Sequence, residues 1–160
     1  MDDGVFFCGT TEISLDSKGR LAVPARYRKC IQENNEGQLV VTRSLFDRCL
    51  WLYRKEQFDE VTESLGSLPV LSDPICRTIQ RVILGSAVYL QLDSQGRILL
   101  PQELRALCGI EKKVFLIGLN NKFEIRSEEN FKACIAEDEN KLKAELSSLE
   151  THSVLSDLRL

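Results

Sequence analysis

Two aspartates and two arginines stand at one spacing in two places. Asp16 and Arg20 lie in LDSKGRLAVPARYR, from Leu15 to Arg28, and Asp93 and Arg97 lie in LDSQGRILLPQELR, from Leu92 to Arg105. An arginine guanidinium is a planar fork of five donors that matches two phosphate oxygens, or the O6 and N7 edge of guanine. An aspartate four residues earlier can pair with that arginine across a turn and orient the loop. It can equally staple a turn, and an exposed ion pair of that kind contributes only ~0 to 1 kcal/mol. The residues alone admit both readings. Lys18 sits inside the first turn, Arg26, Arg28 and Lys29 follow, and from Ser17 to Gln32 five bases meet no acid. On a chain of net charge −3 such a stretch is either an electrostatic footprint for nucleic acid or a solvated helix face.

The arginines are positioned by a repeat. Aligning Ile13 to Arg28 with Leu90 to Arg105 gives seven identities in sixteen positions, the last of them Arg28 with Arg105. Ile13 and Leu15 alternate with Glu12 and Ser14, and Val88, Leu90 and Leu92 alternate with Tyr89 and Gln91. That period of two marks half-buried strands. Asp-Ser-Lys-Gly and Asp-Ser-Gln-Gly then read as tight turns, with an Asp side chain able to accept a backbone N–H two residues on, and with Gly19 and Gly96 free to adopt positive φ. Each copy is therefore expected to begin with a β-hairpin whose second arm stops at Pro24 or Pro101 and passes into a short helix, the second ended by Gly109. Two further apolar runs follow in each copy, VVTRSLFDRCLWLY and VFLIGLNNKFEI. A unit of this size buries little surface alone, so the copies are expected to interleave their strands about a pseudo-twofold axis.

Between the copies the pattern predicts two helices. Lys55 to Leu65 places Phe58, Val61 and Leu65 on one stripe, and a second helix is capped by Ser72 or Asp73, opened by Pro74 and stopped by Gly85, with Ile75, Ile79, Val82 and Ile83 on one face. After the second copy, Ser127 with Glu128 and Glu129 opens a longer helix with Phe131, Ile135, Leu142, Leu146 and Leu149 as its apolar stripe.

Composition excludes several classes. No apolar run approaches the roughly 18 to 20 residues of a membrane span, and the acids Asp2 and Asp3 are unlike a signal peptide's positive start; a cytoplasmic protein is expected. The six cysteines are spaced 19 to 32 residues apart without a C-x-x-C pair, and His152 is the single histidine. This is not metal-ligand spacing, and free thiols in a reducing compartment are expected, with no metal and no cofactor. No nucleophile elbow, P-loop, dinucleotide fingerprint or zinc-protease motif is present, so no catalytic residue is assigned and no enzyme is expected.

The doubled motif, with QRVILG from Gln80 to Gly85 and NKFEI from Asn121 to Ile125, resembles the MraZ proteins, bacterial regulators of the division and cell-wall gene cluster within the SpoVT/AbrB-like swapped-hairpin superfamily. The resemblance implies an α+β fold of two tandem AbrB-like swapped-hairpin units packed as a pseudo-twofold β-barrel with flanking helices. The first unit would span 10–57, a helical spacer 58–85, the second unit 86–129, and a C-terminal helix and tail 130–160. It implies a nucleoid-associated regulator that binds double-stranded DNA at direct repeats upstream of its own gene and assembles with itself into a ring. In that reading Arg20 and Arg97 read or clamp DNA, Lys18 and Arg26 add phosphate contacts, and Asp16, Asp93, Gly19 and Gly96 orient the loops. Gln95 stands where the first turn has Lys18. The competing expectation is an oligomeric scaffold or protein-partner module, such as a toxin-neutralising partner. The acidic C-terminal region, seven acids against three lysines from Ser127 to Glu150, suits that class, whereas the acid-free Ser17 to Gln32 stretch does not.

Overall fold

The structure is a computed structural model that describes residues 6–33, 35–155 and 157–159. Two expectations fall elsewhere: the acids Asp2 and Asp3, and the Leu149 side chain of the C-terminal stripe, lie outside the described residues. The first copy contributes β1 (Thr10–Ser14), β2 (Arg20–Ala22), α1 (Ala25–Glu33), β3 (Gln38–Arg43) and β4 (Leu50–Arg54). The spacer is α2 (Lys55–Gly66) and α3 (Pro74–Gly85). The second copy contributes β5 (Val88–Gln91), β6 (Arg97–Leu99), α4 (Gln102–Leu107), β7 (Lys113–Leu119) and β8 (Lys122–Ser127), and α5 (Glu128–Glu145) follows. The chain divides into two units, Met1–Glu128 and Glu129–Leu160.

The copies exchange strands. β1 pairs antiparallel with β7, β5 with β3, and β4 with β8, in a six-stranded sheet ordered β1-β7-β8-β4-β3-β5. β2 pairs antiparallel with β6 as a separate two-stranded ribbon. Shifting one copy onto the other maps these pairings onto themselves, with Leu21 opposite Ile98 at the centre of the ribbon and Trp51 opposite Glu124 at the centre of the sheet. Two expectations are corrected here. The hairpin turns form, but the arms of each hairpin separate after them, because Leu21 finds its partner in Ile98 rather than in the arm that precedes it. The barrel is not closed: β1 and β5 end the sheet, and the pairings that would join them are absent among the described residues. Each turn sends the chain away from its own sheet edge into the ribbon, which leaves that edge without a partner.

Burial follows from this exchange. Leu21, Ile98, Leu100, Leu39, Val114 and Ile125 are fully buried in one cluster drawn from both copies, each contributing ~1.5 to 3 kcal/mol relative to exposure. Phe7 stacks on Phe123 with ring centroids 4.0 Å apart and meets Tyr27 edge-on at 5.2 Å. A second cluster joins Val40, Trp51 and Tyr53 on the other sheet face to Phe58, Val61 and Leu65 of α2 and to Ile79 and Ile83 of α3. The α2 stripe is the expected one. In α3 the buried face differs: Cys76 is buried with Ile83, while Ile75 is 58% exposed. Asp73 caps this helix by accepting the Ile75 N–H at 3.1 Å, ahead of Pro74. Pro24 and Pro101 each stand one residue before their helices. The described side chains of α5 are not buried, and Ile135, Leu142 and Leu146 of its stripe are exposed.

Candidate nucleic-acid interface

The two turns are built alike, residue for residue. In the first, the Asp16 N–H donates to the Arg20 carbonyl (3.1 Å) and the Gly19 N–H to the Asp16 carbonyl (3.0 Å). The Asp16 Oδ1 accepts the backbone N–H groups of Lys18 and Arg20, each at 2.9 Å, and its Oδ2 accepts Arg20 Nε at 2.5 Å. In the second, Asp93 Oδ1 accepts the N–H groups of Gln95 (2.9 Å) and Arg97 (2.8 Å), and Oδ2 accepts Arg97 Nε at 2.9 Å. One carboxylate thus closes each turn and locks the arginine by its Nε edge, leaving the two Nη groups for another acceptor. The ribbon then brings both arginines together. Ala22 faces Arg97 and Arg20 faces Leu99 across β2 and β6, and Arg97 Nη1 lies 3.8 Å from Asp16 Oδ2.

A second pair of arginines lies on the turns, and sequence reasoning gave it too little weight. Arg28 Nε donates to the Val23 carbonyl at 2.6 Å, and Arg105 Nε donates to the Leu100 carbonyl at 3.0 Å. Each guanidinium crosses to the other copy's turn. A Cβ on Gly19 would come within 2.5 Å of Arg105 Cζ, and a Cβ on Gly96 within 2.8 Å of Arg28 Cζ. With φ of 86° and 76°, these glycines answer two demands, the left-handed backbone and the room for an arginine. The seventh identity of the repeat, Arg28 with Arg105, was the signal for this pair. Lys18 is exposed at the first turn. Arg26 is held elsewhere, over the Tyr27 ring at 4.8 Å and on the Cys8 carbonyl at 3.4 Å.

The sequence matches the family described as "MraZ protein, putative antitoxin-like" over residues 6–82 and again over 83–150. The chain belongs to the MraZ family. The protein is 44% identical over 129 residues to Transcriptional regulator MraZ of Hydrogenovibrio crunogenus, covering 81% of this chain and 84% of that one. The Photorhabdus laumondii protein of the same name is 42% identical over 155 residues, covering 96% and 99% of the two chains. The two family matches meet between Val82 and Ile83, in the last turn of α3, at the end of the spacer that separates the two turn-bearing copies.

Elsewhere in this family member, one further cluster has ligand-like geometry. The donor atoms of Asp47, Cys49 and Glu124 lie within 4.8 Å of one another. An internal cation already serves the two carboxylates: Arg126 Nη2 donates to Asp47 Oδ2 at 2.7 Å and Arg126 Nε to Glu124 Oε1 at 3.0 Å. Burial pushes the Cys49 thiol up to about 12, so it stays protonated. The cluster is an arginine-centred ion network and is not assigned as a metal site. Among the described residues no helix is long and apolar enough to cross a membrane.

The turn carboxylates predict an acid dependence. The backbone N–H of Arg20, with the Arg20 side chain and the Lys18 N–H, outweighs desolvation and draws Asp16 from 3.8 down to about 2. Asp93 is lowered for the same reason, the Arg97 N–H first. A carboxyl group depressed in the folded state adds stability above its unfolded value, and that contribution is lost as pH falls through the folded one. The unfolding temperature, followed by circular dichroism, is therefore expected to fall between the ordinary value of 3.8 and about 2, with a shallower slope in Asp16→Asn. An unchanged slope in that variant would refute the assignment.

Proposed function

We propose that the protein is a sequence-specific DNA-binding transcriptional regulator of the division and cell-wall gene cluster. It binds direct repeats upstream of its own gene as a ring-like homo-oligomer in the nucleoid-containing cytoplasm. The observation that carries the reading is the ribbon, which sets two arginines side by side, each held at Nε by its turn aspartate, with Arg97 Nη1 also 3.8 Å from Asp16 Oδ2. Arg20 and Arg97 read or clamp the duplex, Lys18 and Arg26 add phosphate contacts, and Asp16, Asp93, Gly19 and Gly96 hold the loops. The names of the relatives, all transcriptional regulators, support the same class.

One subunit covers a short stretch of duplex, so linked subunits gain by effective concentration when each takes one repeat. The test is fluorescence anisotropy on the DNA upstream of the gene, against a scrambled duplex, across a salt series. Tight binding to the native fragment is expected, with log K falling by ~0.9 per phosphate contact for each unit of log salt, and with a fragment reduced to one repeat binding far more weakly. Equal affinity for one and two repeats would count against the ring acting multivalently.

Exposed Ile135 and Leu142 on acidic α5, with Leu146 just after it, favour a second reading, a module that docks a protein partner. Equal, weak binding to both duplexes would put that reading first.

A further inference from the structure

The two turns are symmetric in backbone and in arginines, but the surfaces beside them are not. Next to the first turn lies a groove of about 490 Å³, lined among others by Lys18, Tyr89, Gln91, Leu99, Gln102 and Arg105. The repeat places Gln95, Glu12, Ser14, Ala22, Ala25 and Arg28 at the corresponding positions beside the second turn. The first side therefore carries two cations, Lys18 and Arg105. Of the corresponding residues on the second side, one is a cation, Arg28, and one an acid, Glu12, whose Oε1 is paired with Lys113 Nζ at 2.9 Å.

The groove side also carries amides. Gln91 is already engaged, its Nε2 donating to the Glu36 carbonyl at 2.5 Å. Gln102 is exposed at the first residue of α4 and makes no side-chain hydrogen bond among the described residues. A free glutamine amide offers a donor and an acceptor together, which matches the N6 and N7 edge of adenine. Tyr89, 58% exposed and edge-on to Phe58 at 6.3 Å, makes a firm wall beside it.

We propose that this groove is a base-reading subsite, in which Gln102 presents its amide to a base edge while Lys18 and Arg105 hold neighbouring phosphates. Ala25 leaves the second side without such a reader, so a subunit takes one orientation on the duplex. Subunits of fixed orientation arranged head to tail fit direct repeats, whereas a symmetric platform would fit a palindrome as well. The inference rests on the DNA-binding reading above and adds to it a residue and a polarity.

The test uses the full chain and a set of duplexes carrying every single base-pair substitution across one upstream repeat. The wild type is expected to discriminate by about 5- to 150-fold at one or more positions, and Gln102→Ala to flatten one of them without changing the salt slope. Lys18→Ala should instead weaken all duplexes alike and lower the slope by about one. Gln102 is exposed at a helix start, so circular dichroism should show the variant folded. If the wild type discriminates and Gln102→Ala keeps every preference, the subsite is wrong while the DNA reading stands. If the wild type binds all duplexes alike or none, the DNA reading falls and the subsite falls with it.

Discussion

Replacing Arg20 and Arg97 together by alanine is expected to reduce affinity for the upstream fragment by about 30-fold to 10⁴-fold, since a bidentate base contact is worth ~1 to 3 kcal/mol and two are lost. The arrangement explains why the loss should be that large. Asp16 and Asp93 already hold each Nε edge, at 2.5 and 2.9 Å, so the Nη pairs are oriented before any ligand arrives and little side-chain freedom remains to be lost on binding. The same substitutions should barely affect stability, because the side chains are 29% and 26% exposed and such pairs contribute only ~0 to 1 kcal/mol. Arg20→Lys with Arg97→Lys separates charge from geometry: it keeps both positive charges but not the planar fork, and most of the loss should persist. Anisotropy titration beside a thermal melt checks both halves. A loss below about 5-fold in the folded alanine variant, less than one such contact is worth, would return Asp16 and Arg20 to the role of turn staples.

The largest effect on stability is expected at Arg126. Its side chain is 3% exposed and holds Glu124, itself 15% exposed, and Asp47. Burial works against the guanidinium's charge, but the hydrogen bonds it donates to Asp47 and Glu124 prevail and hold it protonated. Arg126→Leu leaves the Glu124 carboxylate without this compensation next to the buried core, which should cost ~3 to 5 kcal/mol. Removing both members, as Arg126→Leu with Glu124→Leu, should recover a large part of that, because the stranded charge rather than the missing bond dominates. Urea unfolding of the two variants measures this. A single variant within ~1 kcal/mol of wild type would show that water or a shift of Glu124 relieves the charge.

Much of the site was legible in the sequence because its logic is local. Asp, Gly and Arg at fixed offsets in a turn specify hydrogen bonds between residues two to four apart, and Asp16 and Asp93 make those bonds as the spacing implied. The helices were legible for the same reason, down to Asp73 ahead of Pro74. What the pattern could not convey was partner choice. Alternation in β1 and β2 says which side of a strand is apolar and nothing about which strand lies beside it, so the copies were expected to interleave but each hairpin's arms were still expected to pair with each other, where they in fact pair with β7 and β6. The same limit hid the cross-copy reach of Arg28 and Arg105, which depends on where the other turn lies. In α3, Ile75 and Cys76 are adjacent and both apolar, and only the sheet's position decides that Cys76 is covered and Ile75 is not.

The exchange of strands also bears on when the molecule can exist. β1 waits for β7, β2 for β6 and β4 for β8, so a nascent chain that ends before Arg97 has no partner for either arm of its first turn, and one that ends before Lys122 still leaves β4 without β8. Contacts so distant along the chain make folding slow relative to local structures of equal stability. The fold should therefore complete in a single step late in translation, with both arginine pairs placed together, and a prematurely terminated message would yield no half-assembled product with one working turn.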